Sequence, residues 1–133
     1  MTLKKKELGE NGEKIAERYL QSRGYRILER NYRIRLGEVD IIAEHGEDLV
    51  FIEVKTRSGR MFGSPFEAVT LAKQRQLSRV ALEYISKRGY QNRPARFDVV
   101  GVQLKGFPAA PLQGAEVELV RNAFELCYGD VQI

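Results

Sequence analysis

Two carboxylates and an amine stand close together in the segments G-E-V-D and F-I-E-V-K: Asp40, Glu53 and Lys55. These residue types suit phosphodiester hydrolysis. Two carboxylates hold a Mg²⁺ or Mn²⁺ ion through hard oxygen ligands and leave room for phosphate and water. Such an ion polarises the phosphoryl oxygen and lowers the pKa of the attacking water. A neighbouring lysine orients that water or stabilises the charge that grows on the phosphorus. The backbone carbonyl of Val54, between the two side chains of E-V-K, is a further candidate ligand. By themselves the three side chains serve equally well as a structural salt-bridge cluster at a sheet edge.

Positioning them requires two paired strands. Gly37 to Glu44 and Asp48 to Arg57 read as strands around the short polar turn His45-Gly46-Glu47, the pattern of a hairpin. Alternation puts Leu49, Phe51, Glu53 and Lys55 on one face of the second strand, with Val50, Ile52 and Val54 on the other. On the partner strand Asp40 shares a face with Glu38 and Ile42, and hairpin closure brings it opposite roughly Glu53.

The remaining elements frame this hairpin. Leu8 to Arg23 reads as a helix with Ile15, Ala16, Tyr19 and Leu20 on one stripe and Gly24 as its stop. Tyr25 to Ile34 follows as a strand. Ser58 to Gly63 is a basic loop, and Ser64-Pro65-Phe66-Glu67 carries the signals of a helix start. That helix runs to about Arg88, with a break near Thr70, and buries Leu77, Val80, Ala81, Tyr84 and Ile85. Arg96 to Leu104 and Ala115 to Phe124 complete the strands, with a Pro/Gly loop over 106–114 between them. The order α-β-β-β-α-β-β implies an α/β fold: a mixed sheet of about five strands flanked by helices, with strands three and four parallel through a crossover.

Composition narrows the function classes. The 133 residues fit one domain, taken as 1–124 with a C-terminal tail at 125–133. Cys127 is the only cysteine, which excludes an intrachain disulfide and a cysteine metal cluster. The lysines Lys4 to Lys6 precede no apolar segment of signal-peptide type, and no apolar run reaches membrane-spanning length. The expectation is a soluble, cytoplasmic protein without a membrane partner. A net charge of +4 favours an anionic partner, and its distribution says more. Residues 36–54 carry six acids and no Lys or Arg, while residues 55–96 carry ten bases against two acids. An acidic pole beside a basic stretch suits a site that holds divalent cations and a phosphate backbone together. Arg57, Lys73, Arg75 and Arg79 are the candidate nucleic-acid contacts, against the plain alternative of a solvated helix face. Asp98 reads as structural, His45 as a turn residue, and the aromatic residues as core.

Five segments together resemble the YraN-like family of small bacterial proteins: G-E-K-I-A-E-R-Y-L (12–20), R-N-Y-R (30–33), G-E-V-D-I-I-A (37–43), V-F-I-E-V-K-T-R (50–57) and R-F-D-V-V (96–100). More distantly they resemble archaeal Holliday-junction resolvases and the restriction-endonuclease-like, PD-(D/E)xK superfamily. The resemblance implies a restriction-endonuclease-like fold, Asp40 and Glu53 as metal ligands and Lys55 as the catalytic lysine. It also implies a first-helix glutamate at the metal, matched here by Glu17 in the context of Gly12 and Arg18, with Glu13 as the competitor one turn earlier. Glu38 reads as flanking. Gln74 and Gln76 are candidate polar contacts, because related nucleases use a helix glutamine. One departure is Val39, which stands where the superfamily has a proline. Resolvases act as homodimers on four-way junctions, which brings a homodimer and branched as well as duplex DNA into the expectation.

The expected function is therefore a metal-dependent endonuclease on DNA, in repair or recombination. The alternatives are a non-catalytic nucleic-acid-binding module on the same fold and a protein-interaction scaffold using the 106–114 segment.

Overall fold

The apolar run Leu49 to Val54 is hidden on both faces, which makes its strand the centre of the molecule. A computed structural model describes residues 3–58 (side chains from Glu7), 67, 69–104 and 115–126. It contains α1 (Leu3–Ser22), β1 (Arg26–Ile34), β2 (Gly37–His45), β3 (Asp48–Ser58), α2 (Leu71–Arg88), β4 (Ala95–Leu104) and β5 (Ala115–Phe124). The five strands form one sheet in the order β1-β2-β3-β4-β5. The β3–β4 pair is parallel and the others are antiparallel. This is the α/β arrangement that the hydrophobic periodicities imply. The Ser64-Pro65 helix start, the 106–114 loop and Cys127 lie outside the described residues.

Each helix covers one face of the sheet. Ala16 and Leu20 of α1 pack on Ile41, Ala43, Val50, Ile52, Val54, Val100 and Val102. Leu77, Val80, Ala81 and Tyr84 of α2 pack on Val39, Ile42, Leu49, Phe51, Phe97 and Val99. Tyr84 is the keystone of the second layer, meeting Phe51 and Tyr32 edge-on at 5.9 and 5.0 Å between ring centroids. Such rings each contribute roughly 1.5–3 kcal/mol by burial.

Both helices stop for local reasons. After α1, Gly24 takes φ 89° and Tyr25 N–H returns to the Leu20 carbonyl at 3.0 Å, a left-handed cap that few residues other than glycine adopt cheaply. Before α2, the Thr70 side chain accepts the Lys73 N–H at 3.1 Å. The expected break near Thr70 is thus the N-cap of α2.

One glycine sets how closely α1 approaches the sheet. A Cβ on Gly12 would fall within the Thr56 side chain on β3. Gly12→Ala is therefore expected to destabilise by about 1–2 kcal/mol, overpacking outweighing the better helix propensity of alanine. Gly9→Ala meets nothing within 4 Å and is expected to be neutral or stabilising. Urea denaturation of the two variants checks the contrast.

Candidate active site

The β2–β3 ladder runs from His45–Asp48 to Ile41–Ile52 in constant register. One step beyond its last pair lie Asp40 and Glu53. Here strict alternation breaks. Val39 packs with Ile42 on the α2 side, although they are three residues apart, while Ile41 and Ala43 face α1. The neighbouring strand shifts with it. Arg30 reaches α1, Tyr32 packs in the α2 layer, and Asn31 between them takes φ 50°. Asparagine is one of the few residues that enter this left-handed region readily. The shared phase shift turns Asp40 away from the Ile42 face on which alternation places it.

Released from the ladder, the Asp40 carboxylate accepts the Val54 N–H at 2.8 Å. It lines a cleft with Leu8, Gly9 and Glu13 of α1 and Val54 and Thr56 of β3. Glu53 reaches the same point from the α2 side of β3 and is almost completely buried, at 4% exposure. Burial first, and then the charge and hydrogen bond of Glu53, push the Asp40 carboxyl from its ordinary 3.8 up to about 8; the Val54 N–H works in the opposite direction. Two ammonium groups face Glu53 Oε2 across the site: Lys55 Nζ at 3.6 Å and Lys73 Nζ at 3.5 Å. Lys73 Nζ also donates to Gln76 Oε1 at 3.0 Å. Gln76 in turn lies over Gly37, where a Cβ would crowd Gln76 Cδ at 2.8 Å.

The structure thus brings together Asp40, Glu53, Val54 and Lys55, and adds Lys73 and Gln76 from α2. Glu17 does not join them. Its two carboxylate oxygens each lie 3.0 Å from Arg30 Nε, and Arg30 Nη2 closes an ion pair with it. Glu13, on the same face one turn earlier, takes that place in the cleft. Its carboxyl is raised by burial first, then by Glu38, Glu10 and Glu53. Residues four apart share a helix face, so only tertiary packing distinguishes them. Glu38 flanks the site and pairs with Arg33 at 2.8 Å. Gln74 bonds the Val69 carbonyl at 3.2 Å, away from the carboxylates. Arg75 is exposed on α2, Arg79 half-buried on the same helix, and Arg57 half-buried at the end of β3.

The donor set fits a hard divalent cation. Asp40 and Glu53 are two acids withdrawn from water at one site, and an ion between them would take the place of the proton that Asp40 holds. Among the described residues no three His, Cys, Asp or Glu side chains converge as a ready-made metal cluster.

A second polar cluster, centred on the structural Asp98 and its pairing with Arg96, lies toward the other end of β3 and β4. Asp98 is 1% exposed and accepts from Tyr25 Oη at 2.7 Å, Arg96 Nε at 3.0 Å and Asn122 N–H at 2.9 Å. Arg96 also pairs with Asp48 and lies 2.9 Å from His45 Nδ1, and His45 stacks on Tyr25 at 4.2 Å. Burial first, then Asp98, push the Tyr25 hydroxyl up to about 12. The alternating R-F-D was a visible hint, since Arg96 and Asp98 must share a face.

Among the described residues no helix is long and apolar enough to cross a membrane. The family model described as "Uncharacterised protein family UPF0102" matches residues 12–102. A UPF0102 protein of Geobacter metallireducens is 45% identical over 128 residues, 96% of this chain and 100% of its own. One from Geotalea uraniireducens is 50% identical, covering 92% of this chain and 93% of its own. UPF0102 protein STH1475 of Symbiobacterium thermophilum is 49% identical, covering 88% and 95%. A structure of Pyrococcus furiosus SfsA in complex with Ca²⁺ overlaps 88% of this chain and 62% of its own at 15% identity and a TM-score of 0.37, too loose a likeness to carry functional meaning. With the matched span running from Gly12 past both carboxylates and Asp98, the chain belongs to the UPF0102, or YraN-like, family.

Proposed function

We propose that this protein is a Mg²⁺- or Mn²⁺-dependent endonuclease of the restriction-endonuclease-like type, acting on branched or duplex DNA in repair or recombination. The observation that carries the reading is the Asp40–Glu53 pair, meeting where β2 and β3 part, with two lysines against it. Asp40, Glu53 and the Val54 carbonyl hold the ion, and Glu13 orients water from the α1 side of the cleft. Bound there, the ion supplies Lewis acidity toward a phosphoryl oxygen. Lys55, anchored on the same strand as Glu53, holds its ammonium where charge develops on the phosphate. Arg57, Arg75 and Arg79 contribute contacts to the phosphate backbone, which fix position without reading sequence. Resemblance to the resolvases adds a homodimer on four-way junctions to the reading.

The test is cleavage of single-stranded, duplex, flapped and four-way DNA in Mn²⁺. Glu53→Ala is expected to lower the rate by about 10³-fold or more, since a metal ligand supports several kcal/mol of transition-state stabilisation. No cutting of any of these substrates by the wild type would sink the enzymatic reading.

One observation favours a second reading. Lys55 and Lys73 already balance the charge of Glu53 without any metal, as a nucleic-acid-binding module that does not cut would require. That module binds DNA with a steep salt dependence and takes up no Mn²⁺, so calorimetric titration with Mn²⁺ separates the two.

A further inference from the structure

The first turn of α2 is an unfavourable place for a lysine. Unsatisfied N–H groups give that end of a helix a partial positive charge, which an added cation there opposes. No acid in the first turn of α2 offsets it. Lys73 nonetheless sits there, held by the Thr70 cap, with its ammonium turned inward to Glu53 and Gln76. Its distance to Glu53, 3.5 Å, exceeds the 2.7–2.9 Å of a tight charge-assisted hydrogen bond. Lys55 stands at 3.6 Å from the same oxygen. Two ammonium groups therefore share one carboxylate oxygen, and neither is locked onto it.

Charge counting shows what a cation would do to this arrangement. Without metal, two lysines face the one carboxylate of Glu53. A divalent ion bound to the deprotonated Asp40 and Glu53 leaves two positive charges in excess. A phosphodiester brings one negative charge to the site, and a second develops as the nucleophile attacks.

We infer that Lys73 is an exchangeable counter-charge, which neutralises Glu53 in the metal-free protein and moves its ammonium to the scissile phosphate when a divalent cation takes that carboxylate. The inference rests on the nuclease reading and gives Lys73 a place inside the site instead of along the backbone groove. Gln76 is the pivot. It holds Lys73 Nζ by its amide oxygen and is itself seated over Gly37, so the ammonium turns about a fixed neighbour.

The test is Mn²⁺ titration by calorimetry with wild type, Lys73→Ala and Lys73→Gln in the absence of DNA. It is followed by binding of a short phosphorothioate duplex with Mn²⁺ and with EDTA. Removing a competing cation at this range is expected to tighten Mn²⁺ binding by about 3- to 10-fold in both variants. Duplex affinity is expected to fall by about 3- to 10-fold in Mn²⁺ and to stay unchanged in EDTA, where Lys73 is engaged by Glu53. A merely structural lysine would not produce that metal dependence. Unchanged or weaker Mn²⁺ binding in the variants, or a duplex deficit equal in Mn²⁺ and EDTA, overturns the inference and leaves the nuclease reading standing. A wild type that takes up no Mn²⁺ overturns both.

Discussion

Asp40→Asn is expected to abolish Mn²⁺ binding and cleavage while making the metal-free protein more stable at neutral pH. The amide keeps an oxygen to accept the Val54 N–H, so the opening of the ladder survives. What disappears is a carboxyl that must take up a proton to sit buried against Glu53 at neutral pH. Removing that protonation cost is expected to add about 1–2 kcal/mol. The pH dependence has a definite sign. The folded Asp40 carboxyl keeps its proton up to about pH 8, whereas an unfolded aspartate releases it near 3.8. This contribution to stability is present below about pH 4 and is lost as pH rises through that window. Thermal unfolding in EDTA across the window checks it: the wild type loses stability relative to Asp40→Asn as pH rises, and saturating Mn²⁺ reverses the order. A variant less stable than wild type at pH 8 in EDTA would contradict the electrostatic account of the site.

The second large effect lies at the far end of the sheet. Asp98→Ala removes one acceptor from three donors at once: the Tyr25 hydroxyl, the Arg96 guanidinium and the Asn122 N–H. Asp48 and His45 still face Arg96, but they stand nearer the surface and cannot reach the other two donors. Breaking a buried pair from one side typically costs 3–5 kcal/mol, because the remaining charge stays behind unbalanced. A loss of about that size is expected in urea denaturation, with Asp98→Asn milder because its amide oxygen still accepts. Tyr25→Phe, which removes one hydroxyl, is expected to cost about 1–2 kcal/mol. Asp98 stands beside Ile52 and turns to Tyr25 on the α1 side of the sheet, whereas Glu53 turns to Lys73 of α2, so Mn²⁺ affinity of folded Asp98→Asn is expected to match wild type.

The elements were legible because their signals are local. The stripe Leu77, Val80, Ala81 and Tyr84 has helical spacing whatever lies around it, and the run Leu49 to Val54 demands burial on both faces. The hairpin turn at His45-Gly46-Glu47 also fixed the register that carries Asp40 to the level of Glu53. What alternation could not reveal was the phase shift at Asn31 and Asp40, because it arises from two strands slipping together. Glu17 and Glu13 are indistinguishable by periodicity, and the choice between them is made by Arg30 on another element. Lys73 read as a candidate phosphate contact, with a solvated helix face as the alternative. Only docking of α2 shows that its ammonium turns toward Glu53. The Asp98 cluster draws on four separate segments, residues 25, 45–48, 96–98 and 122, which no sequence window contains.

The short reach between the two carboxylates has a consequence for folding. Asp40 and Glu53 are 13 residues apart and joined by a tight turn, so bringing them together closes only a small loop and costs little chain entropy. Lys55 arrives on the same hairpin. Lys73 and Glu13 come from helices that must dock over longer separations, at greater entropic cost. The pair thus belongs to a local hairpin contact, and its second counter-charge is added by tertiary assembly. Anything that loosens α2 from the sheet strips Glu53 of Lys73 before it disturbs the carboxylates themselves, which ties the docking of one helix to the electrostatic balance of the site.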